Sequence, residues 1–156
     1  MANTYTQLYV HLVFAVEHRD RLIHSSFREE IHKYITGIIK NKENKLLAIN
    51  VMPDHCHIFL GLHPINAISD LVRDIKKSST DFINNKKWLR GKFNWQEGYG
   101  AFSYSHSQID RVIKYVNNQE NHHKTKTFKE EYIQFLKMFN IDYNDSYLFK
   151  FFDEKG

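Results

Sequence analysis

The sequence contains very little cysteine, with Cys56 as its only thiol among 156 residues. A single cysteine excludes a disulfide within the chain and favours a reducing, cytoplasmic location. The first seven residues lack the basic and then apolar order of a secretory signal, and no apolar run approaches the roughly 18 residues that span a bilayer. We therefore expect a cytoplasmic protein that has no contact with a membrane.

Other absences exclude common types of site and of chain organisation. The sequence has no G-x-x-x-x-G-K-[ST] phosphate loop, so we expect no nucleotide cofactor. It has no set of four clustered cysteine and histidine residues of the kind that holds a structural zinc ion. We find no internal repeat and no linker rich in Pro, Gly or Ser, and the length therefore predicts a single domain over residues 1–156.

The charge and the aromatic content of the sequence favour a polyanionic binding partner. The chain has a formal charge of +4 and a pI near 9.0. Binding of Lys and Arg to phosphates releases condensed counterions, although many proteins with this charge bind no nucleic acid. Aromatic residues make up 15% of the chain, and they either fill the core or offer rings on which bases can stack.

The hydrophobic periodicity predicts the element order β, α, β, β, α, β, followed by additional helices. Alternating apolar residues predict strands over residues 7–17, 46–52 and 55–62, and a loop over 92–104 leads into a last strand. Helical spacing predicts helices over residues 25–42, 65–84, 108–123 (capped by Ser107) and 128–139, followed by an aromatic tail at 143–152. This order predicts an α+β, ferredoxin-like (RRM-like) split βαβ fold. Its antiparallel sheet has two helices on one face and a free second face, with a helical and aromatic extension from about residue 127.

Two histidines follow the turn of the predicted β-hairpin. Because side chains alternate along a strand, His55 and His57 point to the same face and Cys56 points to the other. Two imidazoles about 7 Å apart on one strand face can share a cation, although this spacing also occurs in surface or hydrogen-bonded pairs. Asp54 is either a turn residue or a partner that orients a histidine.

The third predicted helix carries a polar ridge beside its apolar stripe. The stripe consists of Ile109, Val112, Ile113 and Val116. The ridge consists of Arg111, Tyr115, Gln119 and His122. A tyrosine at the edge of such a stripe either packs with its hydroxyl at the surface or takes part in a site.

Two histidines, a tyrosine and an amide together are compatible with a nucleic-acid cleavage site. A phenol has a pKa of about 10, so it needs a polarised and neutralised phosphate in order to attack at neutral pH. A divalent cation on two neutral imidazoles and one amide oxygen keeps positions open for a phosphate oxygen. Mg²⁺ prefers oxygen ligands, so such a site suits Mn²⁺ equally well.

These residues resemble the motifs of a known family. Residues 52–60 resemble the HUH motif, often preceded by Met-Pro-Asp, of the single-tyrosine transposases of the smallest insertion sequences and their REP-associated relatives. Residues 115–119, Tyr-Val-Asn-Asn-Gln, resemble the nucleophile motif of those enzymes. The likeness extends to residues 11–14, 95–99 and 122–123, and it therefore spans most of the chain.

The resemblance implies a ferredoxin-like core that recognises hairpins in single-stranded DNA, cuts beside them and joins the ends. It implies that His55 and His57 bind a divalent metal, Mg²⁺ or Mn²⁺, and that Gln119 completes the metal site. It also implies that Tyr115 becomes linked to the 5′ phosphate, often within a homodimer in which one subunit's tyrosine helix completes the other's site. Cys56 replaces the branched aliphatic residue that is more common in the family, but a buried thiol behaves as a small hydrophobe.

Further residues are candidates for contact with DNA or metal. Arg111 and Lys114 neighbour the tyrosine. The basic residues that either follow phosphates or form a solvated face are Arg73, Lys76, Lys77, Lys86, Lys87 and Arg90. The rings that either stack on unpaired bases or anchor a loop are those of Trp95, Tyr99 and Tyr104. His11 lies on the polar side of the first strand and is a further candidate to approach the metal.

Two other functions remain open at this point. A relaxase or replication-initiator nickase would use the same metal and tyrosine chemistry, although the short chain favours a transposase. A module that holds DNA or RNA hairpins without cutting them would keep the histidines only as structural groups.

Overall fold

Four strands form one antiparallel sheet in the computed structural model, which describes residues 3–18 and 22–152. The strands are β1 (Tyr9–Ala15), β2 (Lys45–Val51), β3 (His55–Gly61) and β4 (Gly100–Tyr104). Their spatial order is β2-β3-β1-β4, and each neighbouring pair is antiparallel. The predicted α+β, ferredoxin-like sheet is therefore confirmed, including the β2–β3 hairpin that carries the histidine pair.

Five α-helices accompany the sheet within the described residues. They are α1 (Arg28–Asn41), α2 (Ile68–Lys86), α3 (Ile109–Asn117), α4 (Gln119–His122) and α5 (Phe128–Met138). The helix predicted over residues 108–123 is divided at Asn118, and it begins with a 3-10 turn after Ser105, so the predicted cap at Ser107 is wrong. The Ser105 amide instead donates to Gln108 Oε1 at 3.2 Å. Among the described residues, no helix combines the length and the apolar character that a bilayer crossing requires.

The main core lies between the sheet and helices α1 and α2. Leu12 and Ile58 of the central strands are buried together with Ile35 of α1 and Ile75 of α2. Cys56 points into this core, as predicted from strand alternation, and burial raises the pKa of its thiol. A buried neutral thiol is a poor nucleophile, so Cys56 has a packing role.

The opposite face of the sheet is covered by helices α3 and α5, so the prediction of a free face is wrong. Phe59 packs against Val112 and Val116 of α3. Phe102 of β4 stacks on Phe135 of α5 with ring centroids 5.1 Å apart. This face carries aromatic side chains as well as histidines, and their burial favours a second apolar layer. The histidines of β3 therefore lie beneath helices and do not face solvent.

Gly100 allows α5 to lie close to the sheet. A Cβ atom at this position would lie 2.9 Å from both Cε1 and Oη of Tyr132 on α5. We expect Gly100→Ala to lower the free energy of unfolding by about 1–3 kcal/mol, because the methyl group overpacks this contact. Gly37, exposed in α1 with nothing within 4 Å of an added Cβ, provides the control.

We expect Gly37→Ala to raise the free energy of unfolding by about 0.5–1 kcal/mol, because alanine restricts the unfolded chain and favours helix. Chemical denaturation of the three proteins measures both effects. Equal stability of Gly100→Ala and the wild type would show that Tyr132 is not packed against this strand.

Candidate active site

Three histidines and one carboxylate converge between the sheet and helices α3 and α5. His55 and His57 come from β3, His123 directly follows α4, and Glu131 lies on α5. One nitrogen or oxygen of each residue lies within 4.8 Å of all the others. His55, His57 and Glu131 are each no more than 2% exposed. A convergent group of this composition can hold a metal ion.

The Nδ1 atom of each histidine has a partner outside this group. His55 Nδ1 donates to Asp54 Oδ1 at 2.6 Å, and His57 Nδ1 lies 2.7 Å from His11 Nε2. His123 Nδ1 donates to a backbone carbonyl of the loop before α5 at 2.8 Å. The Nε2 atoms of all three rings therefore face Glu131, which is the orientation that metal-binding histidines need.

Glu131 lies at the centre of the three rings. Its Oε1 atom is 3.0 Å from His57 Nε2, 3.3 Å from His123 Nε2 and 3.8 Å from His55 Nε2. Burial alone would raise the pKa of the Glu131 carboxyl, but the charges and hydrogen bonds of His57 and His123 bring this pKa well below its usual range. Burial lowers the pKa of His57 despite the neighbouring carboxylate. Burial would also lower the pKa of His123, but its hydrogen bond to Glu131 and the charge of that carboxylate raise this pKa above its ordinary value. The site therefore combines an ionised carboxylate with a His57 imidazole held in its neutral, metal-binding form.

Tyr115 of α3 lies at the edge of the same group. Its hydroxyl donates a hydrogen bond to Glu131 Oε2, and its ring centroid is 6.1 Å from that of His57. Burial and the Glu131 carboxylate raise the pKa of the Tyr115 phenol above its ordinary value. The predicted nucleophile and the predicted metal-binding histidines are thus brought together within one chain, with the phenol protonated.

A cavity of about 340 Å³ lies beside Tyr115 and Glu131. Its walls include His122, whose ring centroid is 4.6 Å from that of Tyr115, and Lys126. The tyrosine is half-buried, and its exposed part lines this cavity.

Gln119 lies within the same group, where it is fully buried. Its Oε1 atom is 2.9 Å from His123 Nε2 and 3.5 Å from His55 Nε2, and its side-chain amide donates to the Tyr115 carbonyl at 3.4 Å. The predicted ligand is therefore close to two imidazoles, and its coordination of a metal stays a prediction.

His11 and Asp54 contact the predicted metal-binding histidines at their Nδ1 atoms, on the side away from Glu131. His11, a candidate to approach the metal, instead lies against Nδ1 of His57 with the two rings stacked 5.0 Å apart. Burial and the neighbouring His57 lower the pKa of His11. Asp54 lies in the turn, and its carboxylate accepts a hydrogen bond from His55. It therefore occupies both of its predicted positions, in the turn and beside a histidine. Both residues are positioned to fix ring orientation.

Three of the predicted DNA contacts on α2 are Arg73, Lys76 and Lys77, and they lie across the sheet from the tyrosine. Arg73 Nη1 is 3.2 Å from Asp70 Oδ1. Lys76 Nζ donates to two backbone carbonyls of the loop before β4, at 2.8 and 2.6 Å, and burial lowers its pKa to about 8. Lys77 is exposed on the same helix. The structure does not bring these three cations to the candidate active site.

Three further predicted DNA contacts divide into one core residue and two surface residues. Trp95 is only 7% exposed, donates from Nε1 to Ser79 Oγ at 2.9 Å and packs edge-on against Phe14. Its ring anchors the loop and has no face free for stacking with a base. Arg111 and Lys114 are exposed on the helix that carries the tyrosine.

Sequence reasoning does not find Glu131 and gives His123 no role beyond the family likeness. A signal for Glu131 is nevertheless present in α5. The residue interrupts an apolar stripe at helical spacing whose buried members are Phe128, Tyr132, Phe135 and Leu136. A charged residue on a buried helix face is rarely found without a partner, so it indicates an ion pair or a metal site.

The family match covers the strand and helix that carry the predicted motifs. Residues 4–119 match the family described as "Transposase IS200 like". The chain belongs to the IS200-like transposase family. His55, His57, Tyr115 and Gln119 lie within the matched residues of this IS200-like chain, whereas His123 and Glu131 lie beyond them.

Individual relatives agree with this assignment. The ISDra2 transposase TnpA of Deinococcus radiodurans is 25% identical over 120 residues, which cover 74% of this chain and 86% of the relative. A crystal structure of a candidate transposase from D. radiodurans R1 has a TM-score of 0.60 at 23% identity, covering 76% of this chain and 95% of the other. A REP-associated tyrosine transposase bound to a REP hairpin has a TM-score of 0.59 at 16% identity, covering 79% and 73%. These two solved structures share the fold of this chain.

Proposed function

We propose that this IS200-like transposase cleaves and rejoins single-stranded DNA at hairpin ends through a 5′-phosphotyrosine intermediate, in a metal-dependent reaction. The observation that carries the proposal is the Tyr115 hydroxyl beside three imidazoles and a carboxylate of its own chain. The REP hairpin bound to a structurally similar transposase supports a hairpin as the substrate.

Tyr115 supplies the nucleophile in this proposal. Its Oη atom bonds to phosphorus while the bond between phosphorus and the 3′ oxygen breaks. The proton lost by the phenol passes to solvent, and the departing 3′ oxygen takes a proton to become a free hydroxyl. In the joining step a 3′-hydroxyl oxygen bonds to phosphorus and gives its proton to solvent. The bond between phosphorus and Tyr115 Oη breaks, and the phenol regains a proton, so the bond energy is conserved and no nucleotide is consumed.

The residues of the site fit a divalent cation. His55 and His57 present Nε2 atoms, and Gln119 presents an amide oxygen near His55. When bound, the cation would polarise and neutralise the scissile phosphate, which a phenol with a raised pKa needs. A donor set rich in imidazole favours Mn²⁺ over Mg²⁺, because Mg²⁺ prefers oxygen ligands.

We expect phosphate contacts on the exposed side of α3. Arg111→Gln and Lys114→Gln should weaken hairpin binding and each reduce the slope of log affinity against log salt by roughly 0.7–0.9, as one lost phosphate contact does. Arg73→Gln and Lys77→Gln, on α2 across the sheet, serve as controls and should leave the slope unchanged. Fluorescence anisotropy of a labelled hairpin over a range of salt concentrations measures the slope for both pairs of variants. A slope reduced only by the α2 substitutions would place the DNA on the face of the sheet that α2 covers.

A homodimer is part of the proposal through the family likeness alone. Because Tyr115 reaches the histidines of its own chain, the site does not need a partner subunit to become complete. We therefore expect each subunit of a dimer to hold its own nucleophile and metal ligands.

The assay that tests the proposed function uses a labelled single-stranded hairpin with the wild-type protein. We expect a protein-linked DNA band on a denaturing gel with Mn²⁺ or Mg²⁺ and no such band with EDTA. Hairpin binding without linkage under either metal would favour the non-catalytic binding module. Equal linkage to single strands that form no hairpin would favour the relaxase or replication-initiator nickase.

A further inference from the structure

Glu131 lies beyond the family-matched residues, and its two carboxylate oxygens have different partners. Oε1 faces the Nε2 atoms of the three histidines at 3.0–3.8 Å. Oε2 accepts the hydrogen bond of the Tyr115 hydroxyl. One side chain thus connects the candidate metal ligands to the candidate nucleophile.

We infer that Glu131 has two roles: Oε1 is a metal ligand, and Oε2 positions the hydroxyl of Tyr115 beside the bound cation. The histidines that could hold the metal with Glu131 are His55, His57 and His123, and the Gln119 oxygen of the proposed function lies beside two of them. The inference rests on the proposed function, and it makes helix α5 a part of the active site.

The burial of Glu131 supports a cation at this position. The residue is only 2% exposed, and a buried carboxylate is unfavourable unless nearby positive charge compensates it. Within the described residues no Lys or Arg lies within 4.0 Å of Glu131, and its ion-pair partners are the histidines alone. A divalent cation bound among these four side chains would compensate the carboxylate charge directly.

The packing of α5 holds Glu131 in place. Thr127 caps the helix, since its hydroxyl oxygen accepts from a first-turn amide at 3.1 Å. Tyr132 lies against Gly100, and Phe135 stacks on Phe102. Because α5 is held in place before and after Glu131, the carboxylate is preorganised. A preorganised ligand favours metal binding.

Gln119 is the weaker oxygen donor of the two candidates. Its amide oxygen lies 2.9 Å from His123 Nε2, a distance similar to the 3.3 Å of Glu131 Oε1, but it carries no charge. A carboxylate oxygen binds a hard divalent cation more strongly than an amide oxygen does. Metal affinity should therefore depend more on Glu131 than on Gln119.

Mn²⁺ binding to the full chain, measured by isothermal titration calorimetry, tests the ligand role. We expect Glu131→Gln to weaken Mn²⁺ binding at least tenfold. Glu130→Gln removes a carboxylate from the exposed neighbouring position and should bind Mn²⁺ like the wild type. Should Glu131→Gln fail to fold, Glu131→Asp shortens the side chain, keeps the charge and should show the same direction of change.

The positioning role has a separate measurement. At saturating Mn²⁺, we expect Glu131→Ala to form the DNA-linked product at least fivefold more slowly than Glu131→Gln, because glutamine still accepts the Tyr115 hydrogen bond. Equal rates for the two variants would overturn this part of the inference.

The two proposals fail in different ways. Wild-type Mn²⁺ affinity in Glu131→Gln, together with a metal-dependent DNA-linked band, would overturn the ligand role and leave the proposed function standing. A wild-type protein that binds Mn²⁺ through Glu131 but links no DNA would overturn the proposed function and the positioning role alone. If the wild type binds neither Mn²⁺ nor Mg²⁺, both are wrong.

Discussion

Tyr115→Phe is expected to reduce DNA linkage by at least about 10³-fold, because it removes the nucleophilic oxygen on which the covalent step depends. The ring contacts with His57 and Phe135 survive in the variant, so hairpin binding should stay within about twofold of the wild type. Tyr104→Phe is the matched control. Tyr104 lies in the same layer against Phe59, and its phenol has no hydrogen bond to Glu131 among the described contacts.

The same assay, with labelled hairpin and Mn²⁺, measures linkage and binding side by side. Loss of linkage in Tyr104→Phe, with linkage retained in Tyr115→Phe, would assign the nucleophile to another tyrosine. A mixture of Tyr115→Phe with His57→Ala separates sites held within one chain from sites shared between subunits. The contacts of Tyr115 within its own chain predict no recovery of activity in the mixture, whereas recovery would require an exchange of α3 between subunits.

His57→Ala is expected to abolish metal-dependent stabilisation and also to destabilise the metal-free protein by about 3 kcal/mol. From the sequence alone, His57→Ala is expected to lower metal affinity without a collapse of thermal stability, because the side chain points away from the main core. The structure contradicts that expectation: His57 is fully buried beneath α3 and α5, where it contacts both His11 and Glu131. Its removal leaves the buried His11 imidazole without its hydrogen-bond partner, and the buried Glu131 carboxylate loses its nearest imidazole.

Chemical denaturation with EDTA or Mn²⁺ measures both effects of this substitution. Mn²⁺ at about 100 times its dissociation constant should stabilise the wild type by about 2.7 kcal/mol and the variant by nothing measurable. His18→Ala, at a largely exposed position, is the control and should retain both stabilities. A metal-free His57→Ala protein as stable as the wild type would show that the histidine group does not contribute to packing.

The strands and helices could be predicted because each has a clear hydrophobic period. Alternation along residues 55–61 placed His55 and His57 on one face, and helical spacing placed Tyr115 beside the apolar stripe of α3. The packing of α3 and α5 on the histidine face of the sheet could not be predicted. A hydrophobic pattern shows which side of a strand is apolar, but not which helix packs on it. The same limit applies to Trp95, whose burial depends on its contact with Phe14 far along the chain.

The metal-ligand set was predicted only in part, for a related reason. His55 and His57 belong to one short motif, and their spacing is sufficient to pair them. Glu131 is 74 residues away from His57 in sequence, and only the packing of α5 on the sheet brings the two together. A single buried carboxylate on an apolar stripe predicts a partner, but it does not identify that partner.

Identification of the residue that carries DNA tests the central claim most directly. Wild-type protein would be incubated with the single-stranded hairpin and Mn²⁺, treated with nuclease and protease, and analysed by mass spectrometry. The chemistry proposed for Tyr115 beside the histidine group predicts a nucleotide phosphate on the peptide that contains this tyrosine, and none when EDTA replaces Mn²⁺. A phosphate on any other residue, or an adduct that forms equally well without metal, would contradict it.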